Sequence, residues 1–597
     1  MTDTPHKSSD GTVRTTIYTD GNPVSTTLFG LISLHIHKEV NRIGRATLVF
    51  DAGNMPEQEI PESDDDSFSP GKKILINAGY NEDESPVFEG IVTSHYVVIE
   101  ENNESYLRIE CCDYAYPATQ VRKNRIFEKK KDHEAIEAII NEYSDLTPSV
   151  DTTSAEHNEL VQYYCTDWDF IISRAEANGL IITTEGKDIK IKKPDVSASA
   201  KLKVTYGFDL ISFKGELIAD EQSDGIKATA WDMSKQEIIS VEGAQPSLNE
   251  QGTDATGDLA KALGSNKQVC QTELCAGNDA LQAWADAQLQ RAGLSRIQGY
   301  CKFTGNSTVL PGDILELDGL GKRFNGNAFV GRIEHEIKEG NWFTTAGLGI
   351  PNTIITEKQD VMAPSASGLL PGIQGLHIGK VVKIDSDPTN EYKIQVAIPI
   401  LNSDSNTVWA RLGNFWASNS YGAFFIPDAG DEVILGFFNE DPRHAVILGS
   451  VYSSKQTPPY EPEKENDIRA IYTKSGMKLE FREKDKIITI DTPEKNRLVI
   501  SDKDKSITLE DQNKNKIEMS SGGILIDSAK EITLKAKTNI VIDAGAGIKQ
   551  SAKANIEMKG VNIEANANAA LTVKGNAKAE ISAAGQTVVK GAMVMIN

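Results

Sequence analysis

Toward the carboxy terminus, apolar residues come in pairs two positions apart, and the pairs recur at a nearly fixed interval. They run through Leu479/Phe481, Ile488/Ile490, Leu498/Ile500, Ile507/Leu509 and Ile517/Met519. They continue at Ile524/Ile526, Ile532/Leu534, Ile540/Ile542, Ile556/Met558, Leu571/Val573 and Ala579/Ile581, with Ile548 keeping the beat. The interval is nine or ten residues at first and then mostly seven or eight. An i, i+2 pair marks a strand with one buried face, and the Gly, Asn, Asp and Lys between pairs supply turns. Each strand offers only about two inward side chains, too little for one chain to offset its ordering entropy. Three chains sharing the circumference remove that deficit, because eight residues make one side of a triangle whose Ile and Val meet on a narrow axis. No aromatic residue follows Phe481, as such an axis requires. The pattern predicts an intertwined trimeric β-helix or β-prism, with Ile532, Leu534, Ile540, Ile542, Ile548, Ile556, Met558, Leu571 and Val573 at the trimer axis.

Earlier in the chain the period changes. From about Thr15 to Arg125 the pattern is mostly that of strands, as in "RATLVF" and "KKILINAGY". Two stretches are helical. "DHEAIEAIINEYSDL" places Ile136, Ile139, Ile140 and Tyr143 on one face, with Asp132 as the expected N-cap. "TDWDFIISRAEANG" has Thr166 to cap it, Asp169 at the acidic position of a capping box, and Gly179 to stop it. A second β-rich block repeats the first. Pro70-Gly71, Ile74 and Ile76 match Pro311-Gly312, Leu315 and Leu317, while Phe88, Gly90 and Val92 match Phe329, Gly331 and Ile333, all at an offset of 241. The constant offset predicts two copies of one small β domain, so that a trimer would present six similar surfaces. Linkers at "APSASGLLPGIQG" and "SSKQTPPYEPEKEN" frame a compact strand-rich block ending near Tyr452.

Composition narrows the function. With 62 Lys+Arg against 86 Asp+Glu in 597 residues, the net charge is -24, which repels nucleic acid and anionic membranes. The polar N-terminus has no signal-peptide core, and no run is apolar enough for a membrane helix. The six cysteines make no Cys-x-x-Cys pair and read as reduced thiols. After Phe481 there is no His or Cys to serve as base or nucleophile, and the tail's Lys, Asp and Glu read as a solvated face. His35 and His37 share one strand face, but without further ligands they read as surface or packing residues before a metal site. In "NEDPRH", Asp441 and Arg443 are expected to fix a loop rather than perform chemistry.

At this point the chain resembles a known family. "ISLHIHKEVNRIGRATLVFDAGN", "FSPGKKILINAGY", "TDWDFIISRAEANGLIITTEG" and "IKATAWDMSKQEI" resemble the hub of the valine-glycine repeat protein G (VgrG) spikes of contractile injection systems. "GKVVKIDSDPTNEYKIQVAIP", "VWARLG" and "PDAGDEVILGFFNEDPRHAVILGSVYSS" resemble that family's oligonucleotide/oligosaccharide-binding (OB) barrel. The resemblance implies a mainly β fold with minor α: duplicated β-barrel hub domains, an OB-fold barrel acting as a collar, and the trimeric spike. Mapped on the chain, it divides into a first hub β domain (1–125), a helix-containing insertion (126–205) and a second hub β domain (206–362). A linker (363–375), the OB collar (376–455), a second linker (456–470) and the spike (471–597) follow.

The resemblance also implies a role. It describes a homotrimer docked on a hexameric tail-tube protein (Hcp-like) and on baseplate proteins, puncturing target membranes mechanically to deliver effectors. A small cap protein named for its Pro-Ala-Ala-Arg motif (PAAR) would sit on the tip residues Ala592, Met593, Val594, Met595, Ile596 and Asn597. Three copies of Val594 and Ile596 would leave an apolar platform in need of cover. No cofactor or metal of its own, no lysozyme domain between hub and barrel and no fused effector are expected. Assembly in the cytoplasm and export at the machine's tip, in a type VI system or an extracellular particle, follow from the same likeness. Two other readings stay open: a spike with cryptic cell-wall or glycan hydrolase activity, which needs two convergent carboxylates in a cleft, and a glycan-binding adhesin.

Overall fold

Six strands built from period-two sequence open the chain: β1 (Val13–Thr19), β2 (Gly30–Glu39), β3 (Arg45–Asp51), β4 (Lys73–Tyr80), β5 (Asp83–Ile99) and β6 (Ser105–Cys112). They come from a computed structural model that describes residues 3–5, 11–101, 104–264, 267–273, 277–401 and 406–596. It separates into two units, Met1–Val451 and Tyr452–Asn597. In the first unit these strands pair in the order β1-β4-β5-β6-β3-β2. Their inward side chains form a core centred on Phe29, Phe50 and Phe68, whose rings stand 5.0 to 5.4 Å apart.

A helical insertion follows. A ribbon of β7 (Arg122–Lys131) and β8 (Glu156–Thr166) leads into α1 (Asp132–Ile140) and α2 (Asp167–Ala177). Helix α2 begins as expected: the Thr166 hydroxyl accepts the Asp169 N–H at 3.1 Å and donates to the Asp169 carboxylate at 2.6 Å. Gly179 ends that turn at φ +68, a left-handed conformation that favours glycine. Helix α1 differs from expectation. Lys131 is the N-cap, its N–H held by Glu134 at 2.9 Å, and Asp132 is already helical. The buried Asp132 carboxylate instead receives Arg174 Nε at 2.6 Å and Asn178 Nδ2 at 2.9 Å, and His157 Nε2 lies 3.0 Å away. Burial opposes its charge, but these partners outweigh burial and hold it well below the usual carboxylate range. Asp132 therefore ties α1 to α2.

Six strands of the second half follow: β9 (Leu202–Thr205), β10 (Leu210–Leu217), β11 (Ile297–Thr304), β12 (Ile314–Asp318), β13 (Gly326–Lys338) and β14 (Asn341–Leu348). Their order, β9-β12-β13-β14-β11-β10, repeats that of the first half strand for strand. Even the bulges recur. The β2–β3 register slips between Leu31 and Ser33, and the β10–β11 register between Leu210 and Ser212. Likewise β5–β6 slips between Val92 and Ser94, and β13–β14 between Val330 and Arg332. One pairing differs, since β1 runs antiparallel to β4 and β9 parallel to β12.

These registers correct part of the sequence correspondence. Gly71 N–H donates to Val92 O at 2.8 Å, and Val92 N–H donates to Lys72 O at 2.9 Å. The equivalent bonds join Gly312 to Val330 at 2.7 Å and Val330 to Asp313 at 2.9 Å. Val92 therefore answers to Val330 rather than Ile333, because the connection after Gly312 is three residues shorter than the one after Gly71. The offset of 241 holds for the Pro-Gly turn and for β4 against β12, including Ile74/Leu315 and Ile76/Leu317, and falls to 238 for β5 against β13.

The halves join through β2 and β13, paired from Ser33↔Lys338 to Glu39↔Arg332. With the two-residue strand Asn22–Pro23 that pairs with β1, this makes one continuous 13-stranded sheet among the described residues. The second half has its own core of Phe303, Leu315, Leu317, Val330 and Ile333. A long helix between β10 and β11, α3 (Asn278–Leu294), contributes Arg291, which pairs with the buried Glu176 of α2 at 3.0 Å.

The unit ends in a closed barrel of β15 (His377–Lys383), β16 (Ile394–Ala397), β17 (Thr407–Leu412), β18 (Glu432–Phe437) and β19 (Ala445–Ser450). Its interior is aliphatic, with Val381, Ile394, Val396, Val433, Leu435 and Ile447.

The second unit starts as an antiparallel meander of β20 (Ile468–Tyr472), β21 (Lys478–Arg482), β22 (Ile487–Asp491), β23 (Arg497–Ser501), β24 (Ser506–Glu510), β25 (Lys516–Ser520) and β26 (Gly523–Asp527). The apolar pairs stand directly opposite one another, as in Ile488↔Ile500 and Ile517↔Ile526. Beyond Asp527 the strand ladder stops.

Candidate functional site: assembly surfaces

The tail is of two kinds. From 468 to 527 each strand hydrogen-bonds to its sequence neighbour, so this part is tied within its own chain. From 528 to 596 no backbone-to-backbone hydrogen bond is formed among the described residues. The chain there bends at steps of eight residues, at 529, 537, 545, 553 and 561, then after one step of seven at 568, 576, 584 and 592. The apolar residues sit between those corners, and they are open to solvent in the single chain. Ile540 is 54% exposed and Ile556 58%; Ile532, Leu534, Ile542, Ile548, Met558, Leu571 and Val573 are likewise exposed. At the far end Met593, Val594, Met595 and Ile596 are exposed, as is Ala592, and Asn597 lies outside the described residues. Exposed apolar rows of this length mark contact surfaces, and once covered, the backbone groups beside them would need partners, since buried backbone groups are nearly always paired.

Where the meander begins, the carboxylate of Glu480 is buried yet charged. Tyr460 Oη donates to it at 2.6 Å, with Arg482 Nε at 2.8 Å and Lys478 Nζ at 3.0 Å. Burial pushes its pKa up, but these three partners together bring it down to about 2.

The barrel presents a second surface that the sequence reading passed over. The loop between β17 and β18 exposes Phe415, Trp416, Tyr421, Phe424 and Phe425. Five aromatic residues in one solvent-facing loop are costly to leave uncovered. The signal lay in "NFWASNSYGAFFIP", a cluster with neither helical nor strand alternation. The loop after β18 behaves as expected. Arg443 Nη2 and Nε reach the Asp441 carboxylate at 2.6 and 3.0 Å, and the Arg443 N–H donates to it at 2.9 Å. These bonds hold Asp441 down to about 2 and fix the turn.

Carboxylates of the first unit bear on hydrolysis. A cavity of about 230 Å³ is lined by Glu39, Arg42, Glu176, Arg291, Arg332 and Lys358 among others. Glu176 is engaged by Arg291, and Glu39 stands 3.3 Å from Arg42 and 3.2 Å from His37. Burial opposes the charge of Glu39, but His37 and Arg42 keep its pKa low. A general acid needs the opposite shift, toward neutral pH. His37 is therefore occupied by carboxylates: Glu334 first and Glu39 second raise its pKa to about 9 against burial. Among the described residues no helix is long and apolar enough to cross a membrane.

Comparison with known proteins places each region. The family described as the Alg8 N-terminal domain matches residues 9–339. The type VI secretion system/phage-baseplate injector OB domain matches 377–452, and the phage baseplate V C-terminal trimerisation domain matches 487–572. The type VI secretion system spike protein VgrG1a of Pseudomonas aeruginosa is 38% identical over 77 residues, 13% of this chain and 11% of that protein. The spike protein VgrG3 of Vibrio cholerae is 37% identical over 59 residues, 10% of this chain and 6% of that protein. The chain thus spans about a tenth or less of the length of these curated relatives. The 43 kDa tail protein of prophage MuSo2 from Shewanella oneidensis overlaps 57% of this chain and 99% of its own, at 10% identity and a TM-score of 0.42. With the first match covering more than half of the chain and the barrel and tail matches following in order, the chain belongs to the Alg8 N-terminal domain family and resembles the VgrG spike proteins over the short segment it shares with them.

Proposed function

We infer that this chain is a structural, non-enzymatic spike-hub at the tip of a contractile injection machine, working as a homotrimer. The observation that carries this is the run from 528 to 596, which forms no backbone-to-backbone hydrogen bond among the described residues and whose Ile, Leu, Val and Met side chains face solvent. Three copies would satisfy both deficits at once, each corner-to-corner segment forming one side of a triangular prism around Ile532, Leu534, Ile540, Ile542, Ile548, Ile556, Met558, Leu571 and Val573. The similarity of 487–572 to a trimerisation domain supports the same reading. An interlocked prism resists axial load because no strand can leave without uncovering its neighbours.

The hub then docks, through six similar surfaces, on a hexameric tail-tube protein and its baseplate. The tip from Ala592 to Asn597 offers a platform for a PAAR-type cap, and effectors travel with cap, spike or tube. The target membrane is breached mechanically during ejection. The arginine-bound carboxylates of the hub cavity speak against a hydrolase there. Light scattering of the full chain after size exclusion tests the assembly; a trimer is expected, and a well-folded monomer would end this reading. Peptidoglycan zymography of the same sample tests the absence of hydrolysis, and a clear lytic band would overturn that part.

A further inference from the structure

Residues 351–358, which follow the last strand of the second half, help to line the hub cavity of about 230 Å³. Its charge is unusual for so acidic a chain. Four cations, Arg42, Arg291, Arg332 and Lys358, stand around it against two carboxylates, Glu39 and Glu176. Both carboxylates are taken. Glu176 accepts Asn41 Nδ2 at 3.1 Å and the Ile355 N–H at 2.8 Å besides pairing with Arg291, and Glu39 is held by Arg42 and His37. Arg291, its side chain only 9% exposed, also donates to Thr353 O at 3.3 Å. Two cations are left over. Arg332 Nε is buried without a hydrogen bond; the Glu334 carboxylate stands 3.3 Å away, outside hydrogen-bonding geometry, and is shared with His37. The Lys358 ammonium has no ion-pair or hydrogen-bond partner among the described residues. The sheet makes room for the first of these. Arg332 lies against β14 because residue 347 is glycine: a Cβ there would stand 2.9 Å from Arg332 Cβ and 3.0 Å from its Nε. The adjoining outer cavity also takes in Asp169 and Asp360, so the cationic excess belongs to the inner one.

We propose that this cavity binds a compact oxyanion, a phosphate or a small polycarboxylate, held chiefly by Arg332 and Lys358 with Arg42 beside them. A buried donor without a partner is costly, and oxyanions match guanidinium and ammonium donors with short, charge-assisted bonds. The cavity is smaller than the roughly 300–1,000 Å³ of sites for drug-sized ligands, which limits the occupant to a small ion. The net charge of -24 repels anions at long range, so uptake rests on these local donors and not on a general attraction. Bound there, the anion joins β13, the turn between β2 and β3 that carries Arg42, and residues 351–358 at the start of the connection to the barrel. It pins that connection to the sheet. All the binding groups belong to one chain, so occupancy does not depend on the trimer.

The test is calorimetric titration of the full chain with inorganic phosphate and with citrate, each against sodium chloride of equal ionic strength. Saturable binding at one site per chain is expected for at least one of the two, with a hub melting temperature that climbs with its concentration. R332Q and K358Q should each weaken binding about tenfold or more. K302Q, which removes a charge from the same sheet outside the cavity, should leave it unchanged. Circular dichroism checks that the variants fold; K358Q, which lies outside any strand or helix, decides the matter should R332Q fail to fold. Neither saturable heat nor a rise in melting temperature with either anion overturns the site. So does binding by folded R332Q or K358Q that matches the parent, and either result leaves the spike-hub reading as it was.

Discussion

Ile36 and Ile540 are the same amino acid in the same kind of alternating sequence, yet the first is fully buried and the second 54% exposed. The difference lies in what covers them. Ile36 sits under a sheet whose two halves, some three hundred residues apart, close over Phe50 and Phe68. Burial of such a side chain contributes about 1.5–3 kcal/mol, and the hub collects it from within one chain. Ile540 lies in a segment with no second layer of its own. The hub teaches that a duplicated β module can build a self-sufficient core and still leave an edge; the tail teaches that periodicity without a second layer is an instruction for other copies.

The contrast can be broken most forcefully in the tail. I540D would gather three carboxylates near one axis, at roughly 3–5 kcal/mol for each uncompensated buried charge and on the order of 10 kcal/mol per trimer. Loss of the heat-resistant trimer is expected while the hub stays folded, read by unboiled gel electrophoresis and far-UV circular dichroism. An unchanged trimer melt would remove Ile540 from the axis. F50A should act the other way round. Truncating a buried Phe costs about 3–5 kcal/mol, so the hub transition should fall in calorimetry while the tail's does not.

Next in size is pH. A histidine whose folded pKa is raised stabilises fully below its unfolded value of about 6.5, and that contribution fades as pH rises through about 9 for His37. The hub melting temperature should therefore decline between pH 7 and 10, and H37Q should flatten the decline. Buried His335, lowered to about 3, works at the acid end: the unfolded chain takes up its proton first, so stability drops as pH falls from about 6.5. Equal slopes for H37Q and parent would show that the seam ion pairs do not couple to folding. The smallest effect is expected at the exposed pair of Lys578 and Glu580. K578A should shift trimer stability by less than about 0.5 kcal/mol; a larger loss would mean that this face is covered by something.

Much of this was legible because local chemistry wrote it. The helix from Asp167 to Ala177 follows from Thr166, Asp169 and Gly179, whose roles are confined to one turn each. The strands at Arg45–Asp51 and Lys73–Tyr80 follow from β-branched alternation. The Arg443–Asp441 turn spans two residues. Asp132 was misread as a cap because its partner Arg174 lies 42 residues away. The offset of 241 holds through β4 but is 238 in β5, since spacing shows a repeat but not the length of each connection. The aromatic loop at 415–425 escaped notice because exposure, unlike composition, belongs to the folded chain.

The eight-residue beat, the narrow apolar vocabulary of the tail and the Pro-Gly turns were fixed in the linear order of residues, since each depends on neighbours within a few positions. That β2 meets β13, that β10 is left at an open edge of the sheet, and that the first seven tail strands pair at home while the rest do not, emerged only with the three-dimensional chain. Those outcomes depend on which distant backbones come close enough to exchange hydrogen bonds, and no local pattern encodes a choice among equally apolar strands.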